Sequence, residues 1–131
     1  MLFINFIKNT HMKIYTGNFA NLKKYQKNDL FPISIALSNR YFNGATFRKL
    51  APEWSFKDDE PNSYTRKFNE KLNKLDKNKI LKELSNISQD KDIILLCHEK
   101  ASEFCHRHLL NEWLSGNGEF AEDTKKQLSL L

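Results

Sequence analysis

The stretch Asp92-Ile93-Ile94-Leu95-Leu96-Cys97 constrains this chain more than any other. It is an apolar run of strand length with no alternation. Successive side chains of a strand face opposite sides, so continuous apolarity means that both faces are covered. The stretch therefore predicts an inner strand of a parallel sheet with helices on each side. The rest of the chain supplies partners for it. Residues 12–16 form a short β-type run ending at the turn signal Gly17-Asn18, and Phe19 to Tyr25 suit a short helix. Pro32 precedes a second strand, Ile33 to Leu37, which Ser38-Asn39-Arg40 leaves. Asn43-Gly44 marks a turn, and Phe47 to Phe56 is irregular around Pro52. Pro61 opens a helix with Phe68, Leu72 and Leu75 at helical spacing, and Asp76 caps another through Ile80, Leu81 and Leu84. Gln89-Asp90-Lys91 turns into the apolar strand. Ser102 caps a last helix, from about Glu103 to Leu114, that buries Leu109, Leu110, Trp113 and Leu114 and stops at Gly116. Alternating strands and helices predict a small three-layer α/β domain with a mostly parallel central sheet and right-handed crossovers.

A chain of 131 residues fits one domain and can bury a core without metal or disulfide staples. We place that domain at 12–115. Residues 1–11 are read as an upstream extension or an added edge strand, and 116–131 as a tail or short helix. Two cysteines are too few for a disulfide scaffold, which points to a reducing, cytoplasmic setting. No apolar run approaches the roughly 20 residues that span a bilayer, and the apolar start Met1-Leu2-Phe3-Ile4 has neither the basic leader nor the cleavage site of a signal peptide. The net charge of +5 is uneven: residues 1–50 carry eight Lys/Arg and one Asp, and the remainder is net negative. A basic half with Lys23, Lys24, Lys27, Arg40, Arg48 and Lys49 can meet nucleic acid, or can be only a solvated face.

In sheets of this kind ligands bind beyond the carboxyl ends of the strands. Three segments fall there: Tyr15-Thr16-Gly17-Asn18, Ser38-Asn39-Arg40, and Cys97-His98-Glu99-Lys100 with the start of the last helix, Cys105-His106-Arg107. A helix start offers free amides and partial positive charge, and Arg107 adds a planar fork of donors, so the segment reads as an anion site. The same field favours a reactive thiol. Cys97 and Cys105 are candidate nucleophiles, and Glu99, His98 and His106 candidate proton carriers. Arg107, Lys100, Thr16, Asn18, Arg40 and Tyr15 are candidate ligand contacts. The plainer reading is that Cys97 is a small core residue, that His106 packs beside Leu110, and that Arg107 bridges to Glu103 or Glu99.

Sharper chemistries fit less well. A cysteine phosphatase loop from Cys97 would need an arginine where Glu103 stands, and no glycine lies between Cys97 and Cys105 to shape it. Zinc held by Cys97, His98, Cys105 and His106 would need two strand neighbours to face the same way, and the spacing matches no common finger. We therefore expect no cofactor, with zinc kept as the minor alternative. Four glycines provide no phosphate-cradling loop. Tyr41-Phe42 beside Arg40 can stack a base, although packing accounts for most of the aromatics.

Leu95-Leu96-Cys97-His98-Glu99-Lys100, followed by Cys105-His106-Arg107-His108-Leu109-Leu110 and Glu112-Trp113-Leu114, resembles the signature of the domain of unknown function 488 (DUF488) family. Ile14-Tyr15-Thr16-Gly17-Asn18-Phe19, Ile33-Ser34-Ile35-Ala36, Lys49-Leu50-Ala51-Pro52 and Tyr64-Thr65-Arg66-Lys67-Phe68 are similar to other stretches of it, so the likeness covers about residues 12–115. It implies a compact Rossmann-like domain with a pocket near these residues, and no particular reaction. His98 departs from the aromatic or small residue often found at that place. The leading expectation is a pocket for a phosphorylated or nucleotide-like ligand. Nucleic-acid binding through the basic half and a non-catalytic interaction module are the alternatives.

Overall fold

The structure, a computed structural model, describes residues 12–38, 42–56, 58–98 and 106–114. Among these residues four strands and four α-helices follow one another: β1 (Ile14–Asn18), α1 (Leu22–Lys27), β2 (Phe31–Ser34), β3 (Ala45–Thr46), α2 (Pro61–Asn73), α3 (Lys77–Ser88), β4 (Ile93–Cys97) and α4 (His106–Leu114). The sheet order is β1-β4-β2-β3 and every pairing is parallel. The apolar run thus becomes β4, an inner strand between β1 and β2, buried at all five positions. Its side chains alternate between two cores. Ile93 and Leu95 join Ile33, Phe68, Leu72, Ile80, Leu84, Leu110 and Leu114, under α2, α3 and α4. Ile94 and Leu96 join Tyr25 and Leu30 under α1. Fully burying an aliphatic side chain contributes about 1.5–3 kcal/mol, so both helical layers rest on this strand.

Three local readings change. Gly17 and Asn18 lie inside β1 rather than in a turn. The glycine is there because a Cβ would stand 2.3 Å from Tyr25 Oη, and that hydroxyl accepts from Asn18 N at 3.2 Å. The second strand begins at Phe31 and ends at Ser34, with Pro32 inside it. Phe31 N and Ile35 N donate to Asp92 O and Leu96 O of the β4 segment, so the amide that proline lacks would face away from β4, where pairing with β3 starts only at Ile33. The strand stops early because Ser34 Oγ accepts from Ala36 N at 3.3 Å. Strand β3 carries no sequence signal, since two residues cannot show a period. The irregular stretch contains two single-turn 3-10 segments, Arg48–Leu50 and Trp54–Phe56.

Both helix starts hold as read. Pro61 is the first residue of α2, and Asp76 accepts from Lys79 N at 3.3 Å to open α3. Asp76→Ala should lower stability by about 1 kcal/mol in a denaturation experiment. An unchanged midpoint would show that water replaces the cap. The turn Gln89-Asp90 takes left-handed φ values of 56° and 66°, which close α3 and aim the chain into β4. Residues 1–11, Ser102, Gly116 and 116–131, on which the extension, cap, stop and tail were placed, lie outside the described residues. No helix among the described residues is long and apolar enough to cross a membrane.

Candidate functional site

Parallel pairing puts the carboxyl ends of β1, β2 and β4 on one edge, with Asn18 opposite Cys97 and Ser34 opposite Leu96. Beyond that edge is a cleft of about 360 Å³ lined by Ala36, Leu37, Ser38, Pro52, Glu53, Trp54, Tyr64, Cys97, His98 and His106. Each wall has a local cause. Ala36 to Ser38 are the chain leaving β2. Pro52 to Trp54 are held by Lys71, which pairs with Glu53 at 2.9 Å and also donates to Ala51 O at 2.5 Å. Tyr64 lies one turn before Phe68 on α2 and meets Phe56 edge-on at 5.9 Å between ring centres. Trp54 is 60% exposed, the one large apolar side chain among the described residues left so open.

Cys97 and Arg107 meet, as the sequence order suggested they could. Arg107 Nη1 donates to Cys97 Sγ at 3.6 Å. Their setting differs from the expected open rim, because each is only 1% exposed. The cysteine touches the cleft from the end of β4, and the guanidinium lies behind its sulfur, beneath α4. Arg107 therefore orients Cys97 and contributes positive potential through a low-dielectric layer, where charge is weakly screened. It does not reach into solvent as an open fork.

His106 Nε2 donates to Ile35 O at 2.9 Å, and its ring meets Phe68 edge-on at 5.3 Å. It is buried and ties α4 to the end of β2 while facing the cleft. His98 Nε2 donates to Ser38 O at 2.7 Å. A carbonyl only accepts, so Nε2 carries the proton in both imidazoles.

The other candidate contacts divide. Thr16 is fully buried and accepts from Asn111 Nδ2 at 2.9 Å, so it serves the α4 packing and is not a rim residue. Asn18 shares that face. Its Oδ1, like that of Asn111, is buried without a hydrogen-bond partner among the described residues. Tyr15 points to the opposite face and packs on the α1 core, because strand neighbours alternate; it cannot share a pocket with Thr16. Glu99, Lys100, Cys105 and Arg40 lie outside the described residues. Among the described residues no group of three His, Cys, Asp or Glu side chains could hold a metal ion.

Among the described residues, the basic positions singled out divide between the two faces of the sheet. Lys23 and Lys24 belong to α1 on one face of the sheet. Arg48 is next to Lys49, which pairs at 2.9 Å with Glu83 of α3 on the other face. Reasoning from the sequence missed Tyr64, Trp54, Glu53 and Asn111 as parts of this region. Two of them were findable. Tyr64 extends the Phe68, Leu72 stripe by one turn, and Asn111 stands one turn after Arg107 on the buried side of α4.

No curated protein and no solved structure matches the chain. A family model, DUF488-N3a, described as the active DUF488-N3 subclade, matches residues 32–118. That span holds all but the first residue of β2, then β3, α2, α3, β4 and α4, and with them the ten described residues that line the cleft. Since the match covers about two thirds of its length, the chain belongs to the DUF488 family, in the DUF488-N3 subclade.

Proposed function

We propose that the protein binds a small phosphorylated or nucleotide-like ligand in the cleft beyond the sheet edge. The observation that carries this reading is the composition of the walls. Trp54 and Tyr64 offer ring faces on one side, and Cys97, His98 and His106 offer polar atoms on the other, with the Arg107 charge behind them. About 360 Å³ is within the size range of small-ligand sites, which are largely apolar with a few placed polar groups. An anion would be drawn by the guanidinium potential and a flat ring by the aromatics. Within this reading Cys97 is the nucleophile should the ligand react, and His98, His106 and Glu99 are the groups to move protons. The description of the subclade as active agrees with a working site.

The test is a thermal-shift screen of nucleotides, sugar phosphates, inorganic phosphate and zinc on the wild type and on Trp54→Ala. Trp54 is chosen because its exposure allows removal without touching the core. A ligand at a hundred times its dissociation constant adds about 2.7 kcal/mol. We expect a phosphorylated compound to raise the melting temperature of the wild type by several degrees, with a clearly smaller rise in Trp54→Ala. A rise with zinc alone, or with no compound at all, would sink the reading.

A further inference from the structure

We infer that Phe19, Leu22, Phe42 and His98 form a second binding site, for a single planar heterocycle carrying an N–H donor, of the size and kind of a pyrimidine base. Among the described residues these four line a separate cavity of about 170 Å³. It lies on the α1 side of the sheet edge, and His98 is common to it and to the larger cleft.

The size selects one ring. An engineered cavity of about 150 Å³ lined by apolar side chains holds benzene, so the walls of this one match a single ring and would leave part of a fused double ring outside.

The walls select an aromatic occupant. The Phe19 and Phe42 ring centres are 5.3 Å apart with planes tilted by 53°, and Phe19 and His98 are 4.7 Å apart with planes tilted by 38°. Rings tilted in this way do not stack flat on one another, and they present faces and edges to a further ring, the arrangement aromatic groups prefer. Phe19, Leu22 and Phe42 are each half-buried and His98 is exposed, so the cavity is reachable.

The remaining chemistry selects an N–H donor and disfavours a cation. His98 Nε2 is committed to Ser38 O, so in the neutral ring Nδ1 is the acceptor, and among the described residues it has no partner. A ring bearing an amino or imide N–H supplies the missing donor, which an aliphatic ligand or a plain hydrocarbon ring cannot. Among the described residues the lining contains no carboxylate, and α1, which contributes Leu22, carries Lys23, Lys24 and Lys27. A cationic guest would be repelled, whereas a neutral base, or one with an anionic tail directed over His98 into the larger cleft, would not.

The site stands independently of the reading of the larger cleft, and the probes keep the two apart. Cytosine carries no phosphate and reads the small cavity, whereas inorganic phosphate reads only the cleft. Cytosine, adenine and pyridine would be titrated into the full chain while the side-chain NMR signals of Phe19, Phe42 and His98 are followed. Cytosine should shift all three signals and bind more tightly than adenine. Phe42→Ala should weaken it about tenfold, and Phe42→Leu, which keeps the apolar volume and guards against a folding defect, should weaken it in the same direction. His98→Phe should weaken cytosine about fivefold and leave pyridine, which has no N–H donor, unchanged. Cytosine that shifts none of the three signals would overturn the site. Adenine binding more tightly than cytosine would overturn the ring size, and equal losses for cytosine and pyridine in His98→Phe would overturn the acceptor role.

Discussion

Arg107→Ala should lower the melting temperature by about 10 °C, while Arg107→Met should leave it near the wild-type value. Arg107 is among the largest fully buried side chains in the described residues. Truncating a buried side chain of that size to alanine leaves a cavity, at a cost of about 2–5 kcal/mol. A weak hydrogen bond to Cys97 Sγ is lost as well. Against this, the alanine variant no longer has to desolvate a guanidinium, which offsets part of the loss. A net cost of about 3 kcal/mol, at a few degrees per kcal/mol for a domain of this length, gives the stated shift. Methionine fills much of the space, which avoids the cavity cost, and it removes the cost of keeping a guanidinium out of water. The two variants separate packing from electrostatics. If the guanidinium potential draws the anion, Arg107→Met will be stable and yet bind phosphorylated ligands more weakly. Equal melting temperatures for wild type and Arg107→Ala would show that the side chain is not packed beneath α4 as described.

Gly17→Ala should destabilise the protein by about 3 kcal/mol, opposite in sign to what strand propensity alone would give. In a strand interior, glycine is ordinarily worse than alanine by roughly 0.5–1 kcal/mol. Here an added Cβ would stand 2.3 Å from Tyr25 Oη, 2.5 Å from Cζ and 2.9 Å from Cε2. Tyr25 is fully buried between α1 and the sheet, so its ring cannot swing out freely. Overpacking costs about 1–3 kcal/mol, and displacing the ring also breaks the bond from Asn18 N to the hydroxyl, worth about 1 kcal/mol. The steric cost exceeds the propensity gain. A double-mutant cycle with Tyr25→Phe checks the cause, since removing the hydroxyl takes away the nearest contact. Chemical denaturation should show the double variant losing less than the sum of the two single losses by at least about 1 kcal/mol. Additive losses would place the strain elsewhere. Because Asn18 ends β1 opposite Cys97, the same substitution should also weaken ligand binding at the sheet edge.

Much of the frame was legible because its signals are local. Ile93 to Leu96 announce an inner strand through composition alone. Pro61 and Asp76 announce helix starts because a ring-locked φ and a side-chain acceptor act within one turn of chain. Phe68, Leu72, Ile80 and Leu84 announce buried helix faces through spacing. The misplaced strand ends have non-local causes. Gly17 looks like turn punctuation until Tyr25, from the next helix, is seen to occupy the space above it. Pro32 looks like a strand breaker until the direction of its missing amide is known.

The site was less legible for the same reason. That Cys97 and Arg107 would be neighbours followed from a strand leading into a helix, but whether they were open to solvent did not. Burial depends on how closely α4 lies on β1 and β4, which Asn111 and Thr16 help to set from residues 95 positions apart in the chain. Strand alternation separates Tyr15 from Thr16 on local grounds alone, as it does Cys97 from His98. Trp54 and Tyr64 became cleft walls only through the Lys71 contacts and the packing of α2.

By itself, then, the sequence determined the α/β class, the inner strand, most of the helix starts and the edge at which polar groups would gather, since these depend on residue type and on contacts within a few positions. The tertiary structure alone decided the strand order β1-β4-β2-β3, the use of Gly17 and Pro32, the enclosure of Arg107 behind Cys97, and the two cavities that meet at His98. Each of these depends on distances between segments remote in the chain, and such distances are decided only when the layers pack.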